Sequence, residues 1–197
     1  LKGKRVIVTV PFSALRLMKL DAPIHPLQSE AINTLGYAIA THLSFVPKRK
    51  FWELDGLPPS MWTDGPAGRV AALRNNPKDP NEITTIWVIC SGAKGRYIDR
   101  MTQEEGTKYI LDHLARIRPS TKGALELVKF WSWQQDRFAC GDYASWKPGQ
   151  PTRFGNEMRL PAGRIHFAGE HTSLYSRGME GAMESGERAA FEAAGSL

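Results

Sequence analysis

The stretch Gly163-Arg-Ile-His-Phe-Ala-Gly-Glu-His-Thr172, with Gly178-Met-Glu-Gly-Ala-Met-Glu-Ser-Gly-Glu-Arg-Ala-Ala190 close behind it, decides how the rest of the chain is read. Residues 164–168 read as a short strand. Gly169 then lets the backbone turn where a side chain would clash. Residues 179–194 have helical composition, with Glu184 and Arg188 spaced for an i,i+4 pair. This helix keeps Gly181 and Gly186, each costing ~1 kcal/mol relative to alanine. That cost predicts a close approach to a neighbouring backbone or to a ligand. Gly178 sits just before the helix, whose unpaired N–H groups and positive dipole end favour an anion or an electron-rich carbonyl. On these residues alone the passage is either a cofactor site on an α/β sheet or a glycine-rich helix packed on a sheet with no ligand.

Upstream, residues 6–10 (Val-Ile-Val-Thr-Val) read as a buried strand covered on both faces and ended by Pro11. Residues 27–37 suggest a short helix or turn. Residues 38–46, 70–73, 82–90 and 125–133 suggest strands, while 52–59 and 91–96 read as loops. Thr102-Gln-Glu-Glu105 fits a capping box opening a helix that runs to about Arg116 and stops before Pro119. The glycines of 91–96 lack phosphate-loop spacing.

The 197 residues suit one medium domain or two small ones. With 42% hydrophobic and 23% charged residues the composition is that of a globular chain, not a disordered one. No apolar run reaches the ~18 residues of a membrane span. Cys90 and Cys140 are too few and too far apart for a disulfide scaffold or a paired-cysteine metal or redox site. The net charge of +6 is scattered; Lys48-Arg49-Lys50 before Trp52 reads as a solvated turn, so no nucleic-acid partner is expected. His166 and His171 lack a third ligand, so no metal is expected. Leu1 stands where a methionine would open a chain, and nothing near it resembles a signal peptide; a processing or cleavage boundary is expected there.

The quoted passage resembles the C-terminal FAD-binding signature of the flavin-containing amine oxidase family, which includes monoamine, polyamine and L-amino-acid oxidases. Other stretches agree in order. Arg5 to Pro11 looks like the strand closing the family's middle FAD segment, and Leu35-Gly-Tyr37 with Phe51-Trp52 like the entry to its substrate domain. Trp133-Gln-Gln-Asp136, Gly141-Asp-Tyr143 and Trp146 resemble the return to the flavin. The resemblance implies a mixed α/β (α+β) fold, part of a two-domain FAD-dependent enzyme. Residues 1–26 would belong to the FAD-binding domain, 27–135 to a mixed-sheet substrate-binding domain, and 136–197 to the C-terminal FAD-binding segment. No Gly-x-Gly-x-x-Gly occurs, so the N-terminal Rossmann half is expected from another segment or chain.

By the same resemblance Gly169 and Glu170 lie at the FAD pyrophosphate and ribityl region. Gly178 and Met179 open the helix that points at the flavin, and Gly181 and Ala182 permit its approach. Tyr143 and Trp133 match aromatic walls beside the flavin, with plain core packing as the alternative. His42 falls where many members carry a lysine holding a water at flavin N5, and Gly178 where they carry a second cage aromatic, which implies a wider pocket. Cys140 lies three residues before Tyr143, out of place for a covalent link, so non-covalent FAD is expected. His171 would line the FAD cleft, and Arg177 is either a carboxylate partner or a surface arginine. The implied activity is oxidation of an amine or L-amino acid to an imine, with dioxygen reduced to hydrogen peroxide. The alternatives are a dehydrogenase using an electron carrier, or a non-catalytic binding member. Oligomeric state and compartment stay open.

Overall fold

The computed structural model describes residues 2–195; Leu1, read above as a boundary, lies outside them. The chain forms two compact units, residues 1–38 with 134–197, and residues 39–133. It opens with β1 (Val6–Val8), α1 (Phe12–Leu15), α2 (Pro26–Thr34) and β2 (Gly36–Tyr37). The second unit follows with β3 (Ala40–Pro47), α3 (Phe51–Asp55), β4 (Met61–Trp62), β5 (Arg69–Leu73), β6 (Thr85–Ser91), α4 (Ala93–Ile98), α5 (Gln103–Ile117) and β7 (Leu125–Ser132). The chain then returns to the first unit through β8 (Ala144–Ser145), α6 (Gln150–Phe154), β9 (Ile165–Phe167) and α7 (Gly178–Gly195). The architecture is mixed α/β.

In the first unit β1 and β9 pair in parallel, Ile7 opposite His166, and β2 pairs with β8. Phe12, Ala31, Ile32, Leu35, Phe154 and Phe167 share one core. That packing draws α2 and β2, expected in the substrate-binding domain, into this unit. Gln28 is buried but satisfied, its amide donating to the carbonyls of Met158 and Leu160. The strand expected over 6–10 is shorter and less buried than its sequence suggests: Val6 is 50% and Ile7 41% exposed. Among the described residues its one ladder partner is β9, and a single neighbour cannot cover both faces.

The second unit is a five-stranded antiparallel sheet of order β4-β5-β6-β3-β7. Period-two alternation puts Leu43, Phe45, Ile86 and Val88 on the face that packs with Ile98, Ile110 and Leu114 of the helices. The capping box forms with both halves present: Glu105 N–H donates to Thr102 Oγ1 at 3.2 Å, and Thr102 N–H to Glu105 Oε2 at 2.9 Å. Thr102→Ala is expected to cost about 1 kcal/mol, read as a lowered urea midpoint at unchanged slope.

Residues 52–59 and 91–96, read above as loops, contain α3 and α4. Tertiary contacts override the local signals. The buried Arg118 guanidinium donates to both carboxylate oxygens of Asp55 at 2.8 Å, and to the carbonyls of Leu57 and Pro58, while stacking over Phe51. Those donors fix the end of α3 and hold the Asp55 carboxyl well below the usual carboxylate range. His25 and His113, which the sequence left without roles, are structural. His25 Nδ1 accepts the Leu27 N–H at the start of α2. His113 is buried against Gly65, with Thr63 Oγ1 at 3.4 Å.

Candidate functional site

In the first unit the site is built where β9 ends. Ala168 N–H still bonds to Val8 of β1. Gly169 then leaves the strand at φ +125°, ψ 156°, a region essentially closed to other residues. A Cβ there would lie 2.5 Å from the His171 ring. Gly169 N–H donates to Ser185 Oγ on α7, and its carbonyl accepts from Thr172 N–H and Oγ1, each at 2.9 Å. A 3₁₀ turn over Glu170–Thr172 follows. Glu170 Oε1 accepts the Ala144 N–H at 2.7 Å and so ties β8 to this turn.

The loop into α7 is fixed from within the helix. Gly181 has no room for a side chain, since a Cβ would meet Ser176 O at 2.6 Å and Ser173 Cβ at 3.1 Å. The predicted close approach is therefore present at Gly181. At Gly186 no protein atom lies within 4 Å, so no neighbouring backbone approaches it. Ser173 Oγ accepts the Ser176 N–H and donates to Glu184. The Glu184–Arg188 pair expected from spacing does not form. Arg188 instead bonds to Glu192, to the carbonyls of Phe167 and Arg159, and to Thr172 Oγ1. Glu184 accepts from Ser173, and Glu192 one turn further on supplies the carboxylate. The first N–H groups of α7 have no acceptor within the helix, and Gly178, Met179 and Ala182 beside them are exposed.

His171 is buried edge-on to Phe12, ring centroids 4.4 Å apart. Its Nε2 has no hydrogen-bond partner. Burial pushes its pKa from 6.5 down to about 4, so the ring is neutral at pH 7. Between those values the unfolded chain takes up a proton that the folded chain refuses. Stability therefore falls as pH drops from about 6.5 to about 4, by about 3 kcal/mol in total from this group. Urea titrations across that range are expected to show the slope, and a His171→Gln variant to flatten it.

Tyr143 is 57% exposed, with its carbonyl accepting the Ala38 N–H. Arg177 lies over the Trp146 ring at 5.0 Å. Cys140 is partly buried. It sits at φ +52° in a tight turn, its N–H bonded to Asp136 O and its Sγ near the Arg137 carbonyl.

In the second unit, register decides what the uncovered sheet face presents. His42 lies opposite Trp131 and Ile89, and Ser44 opposite Lys129 and Trp87. His42, Ser44, Trp87, Lys129, Trp131 and Trp133 line a shallow, open pocket of about 350 Å³. Trp133 Nε1–H donates to His42 Nδ1 at 3.1 Å. The neutral ring therefore carries its proton on Nε2, and burial lowers the His42 pKa. Trp87 meets His42 edge-on at 4.8 Å, and Trp131 meets Trp133 likewise at 6.2 Å.

Of the residues singled out in the sequence, Gly169, Glu170, Gly178, Met179, Ala182 and Tyr143 thus fall in the first unit. His42 and Trp133 fall in the second, joined by a hydrogen bond. Ser44, Trp87, Lys129 and Trp131 were not singled out as site residues. Strand alternation from His42 reaches Ser44, and from Trp133 reaches Trp131 and Lys129. Their meeting with His42, and Trp87 altogether, depend on the pairing registers. Among the described residues no three metal-ligating side chains cluster, and no helix is long and apolar enough to cross a membrane.

A family model described as flavin containing amine oxidoreductase matches residues 1–193. YobN of Bacillus subtilis, provisionally named an L-amino-acid oxidase, is 33% identical over 196 residues, 94% of this chain and 40% of that protein. The flavin-containing amine oxidase B of Bos taurus is 32% identical over 197 residues, covering 97% of this chain and 37% of its own length. A solved putrescine oxidase bound to putrescine matches with a TM-score of 0.74 at 27% identity, over 96% of this chain and 42% of that one. The chain thus spans about two fifths of the length of these relatives.

Proposed function

The chain belongs to the flavin containing amine oxidoreductase family, and from that premise we propose that it forms part of an FAD-dependent oxidase of an amine or L-amino acid. The observation that carries this reading is the passage from β9 through Gly169 into α7. Its backbone leaves no room for a side chain at Gly169 or Gly181, and the open N-terminal turn of α7 is flanked by small or flexible exposed residues. The space beside those glycines is taken by the chain's own His171 and Ser176, and it is the open N–H turn of α7 that suits an electron-rich group.

In this reading Gly169 and Glu170 hold the flavin cofactor on the pyrophosphate and ribityl side. The N–H groups opening α7 at Gly178 and Met179 stabilise negative charge on the ring edge, and Ala182 keeps the helix surface low. Buried neutral His171, with an unpartnered Nε2, lines the cleft. When bound, FAD would supply the two-electron oxidation of the substrate's carbon–nitrogen bond, with dioxygen as the final acceptor. Tyr143 serves as an aromatic wall in the first unit, and Trp133 as one in the pocket of the second. His42, neutral and held by Trp133, offers Nε2–H to a water or substrate acceptor. Cys140 sits three residues from Tyr143, and the reading keeps FAD non-covalent. A segment or companion chain outside these 197 residues supplies the dinucleotide half.

The test is a peroxide assay on the protein purified from its source with any co-purifying chain, against a panel of amines and L-amino acids. Peroxide release with at least one of them is expected. Turnover only with an artificial electron carrier, or with no substrate, would overturn the oxidase.

A further inference from the structure

The cavity on the open face of the β6-β3-β7 sheet has a one-sided chemistry. Its polar side chains are the Lys129 ammonium, the Ser44 hydroxyl and the His42 imidazole. His42 Nδ1 is already filled by the Trp133 N–H, so its remaining ring group is a donor. No carboxylate or amide side chain lines the cavity. Glu126 lies opposite Val46, beyond the irregularity at Ser44 and Phe45, and is not among the lining groups. The walls are three indoles, Trp87, Trp131 and Trp133. Lys129 Nζ already occupies the face of Trp131 at 4.7 Å, so that face is not open to a ligand cation.

Charge and shape therefore select one ligand class. A diamine or polyamine entering here would bring a second ammonium to a site that holds a lysine and offers no counter-ion. A carboxylate finds three donors lining one pocket, one of them charged, and an aryl group finds indole walls there. We propose that this cavity is the substrate's recognition subsite and that it takes an aromatic carboxylate, which makes the substrate class aromatic amino acids and not di- or polyamines. This rests on the oxidase reading above and names the substrate of that site.

The test reads binding without any flavin. Intrinsic tryptophan fluorescence of the protein, purified with whatever chain accompanies it, is titrated with phenylpropionate, phenethylamine and putrescine. Saturable quenching is expected with phenylpropionate, weaker quenching with phenethylamine and none with putrescine. Lys129→Met is expected to weaken phenylpropionate about tenfold, and Lys129→Arg to restore most of it. Putrescine quenching at or below the phenylpropionate concentration overturns the proposal, and that comparison needs no variant. An unchanged affinity in Lys129→Met, or no phenylpropionate binding at all, does the same. If the carboxylate fails while an amine still yields peroxide, only the substrate class falls. If phenylpropionate binds but no substrate yields peroxide, the oxidase reading falls and the subsite stands.

Discussion

Gly169→Val is expected to lower flavin affinity at least about a hundredfold and to destabilise the chain by about 3 kcal/mol. Two independent causes act together. The backbone at φ +125° belongs to a region that β-branched residues do not enter. The added side chain would also begin 2.5 Å from His171 Cε1 and 2.8 Å from Nδ1. His171 cannot simply swing aside, because its ring is buried against Phe12 at 4.4 Å. Relief by backbone movement would break the bonds from Gly169 N–H to Ser185 and from Thr172 to the Gly169 carbonyl. Flavin titration and urea denaturation measure both effects. Adding His171→Ala should recover the part due to collision and leave the part due to backbone conformation. Flavin affinity close to wild type in Gly169→Val would remove this turn from the cofactor site.

The second large effect is expected in the other unit. Phe45 is fully buried on the interior strand β3, immediately after the irregularity that resets its register with β7. Phe45→Ala removes a large aromatic side chain from the middle of the core and should cost about 4 kcal/mol. That is a large part of the 5–15 kcal/mol that holds a typical domain folded. Ser44 and Lys129 are placed by the adjoining register, so loosening there should also blunt the fluorescence response to phenylpropionate. A urea midpoint within experimental error of wild type would show that the site collapses without penalty.

What could be read from the sequence was local and periodic. The capping box at Thr102 and Glu105, the β9–Gly169–α7 passage and the strand runs over residues 38–46, 82–90 and 125–133 each rest on spacing, and each has its counterpart in the structure. What escaped reading depends on partners far along the chain. Helix α3 is held by Arg118, more than sixty residues on. The apolar run at residues 6–8 could not reveal that it has a single ladder neighbour. Arg188 bonds to Glu192 and to the carbonyls of Arg159 and Phe167, not to Glu184. The site followed the same rule. Gly169 and Gly181 were legible because a positive φ or a close approach demands glycine. Trp87, Trp131 and Lys129 join His42 only through pairing registers, and these appear once the strands are placed.

The most direct test of the oxidase reading is the flavin itself. The protein, purified with whatever chain accompanies it, is loaded with FAD, freed of oxygen and mixed with phenylalanine, phenethylamine or putrescine while the flavin absorbance band is followed. The expected result is bleaching of the oxidised band, fastest with phenylalanine, and its return with release of peroxide when oxygen is admitted. A flavin that stays oxidised with every amine and amino acid tried, or a protein that retains no flavin, would contradict the account.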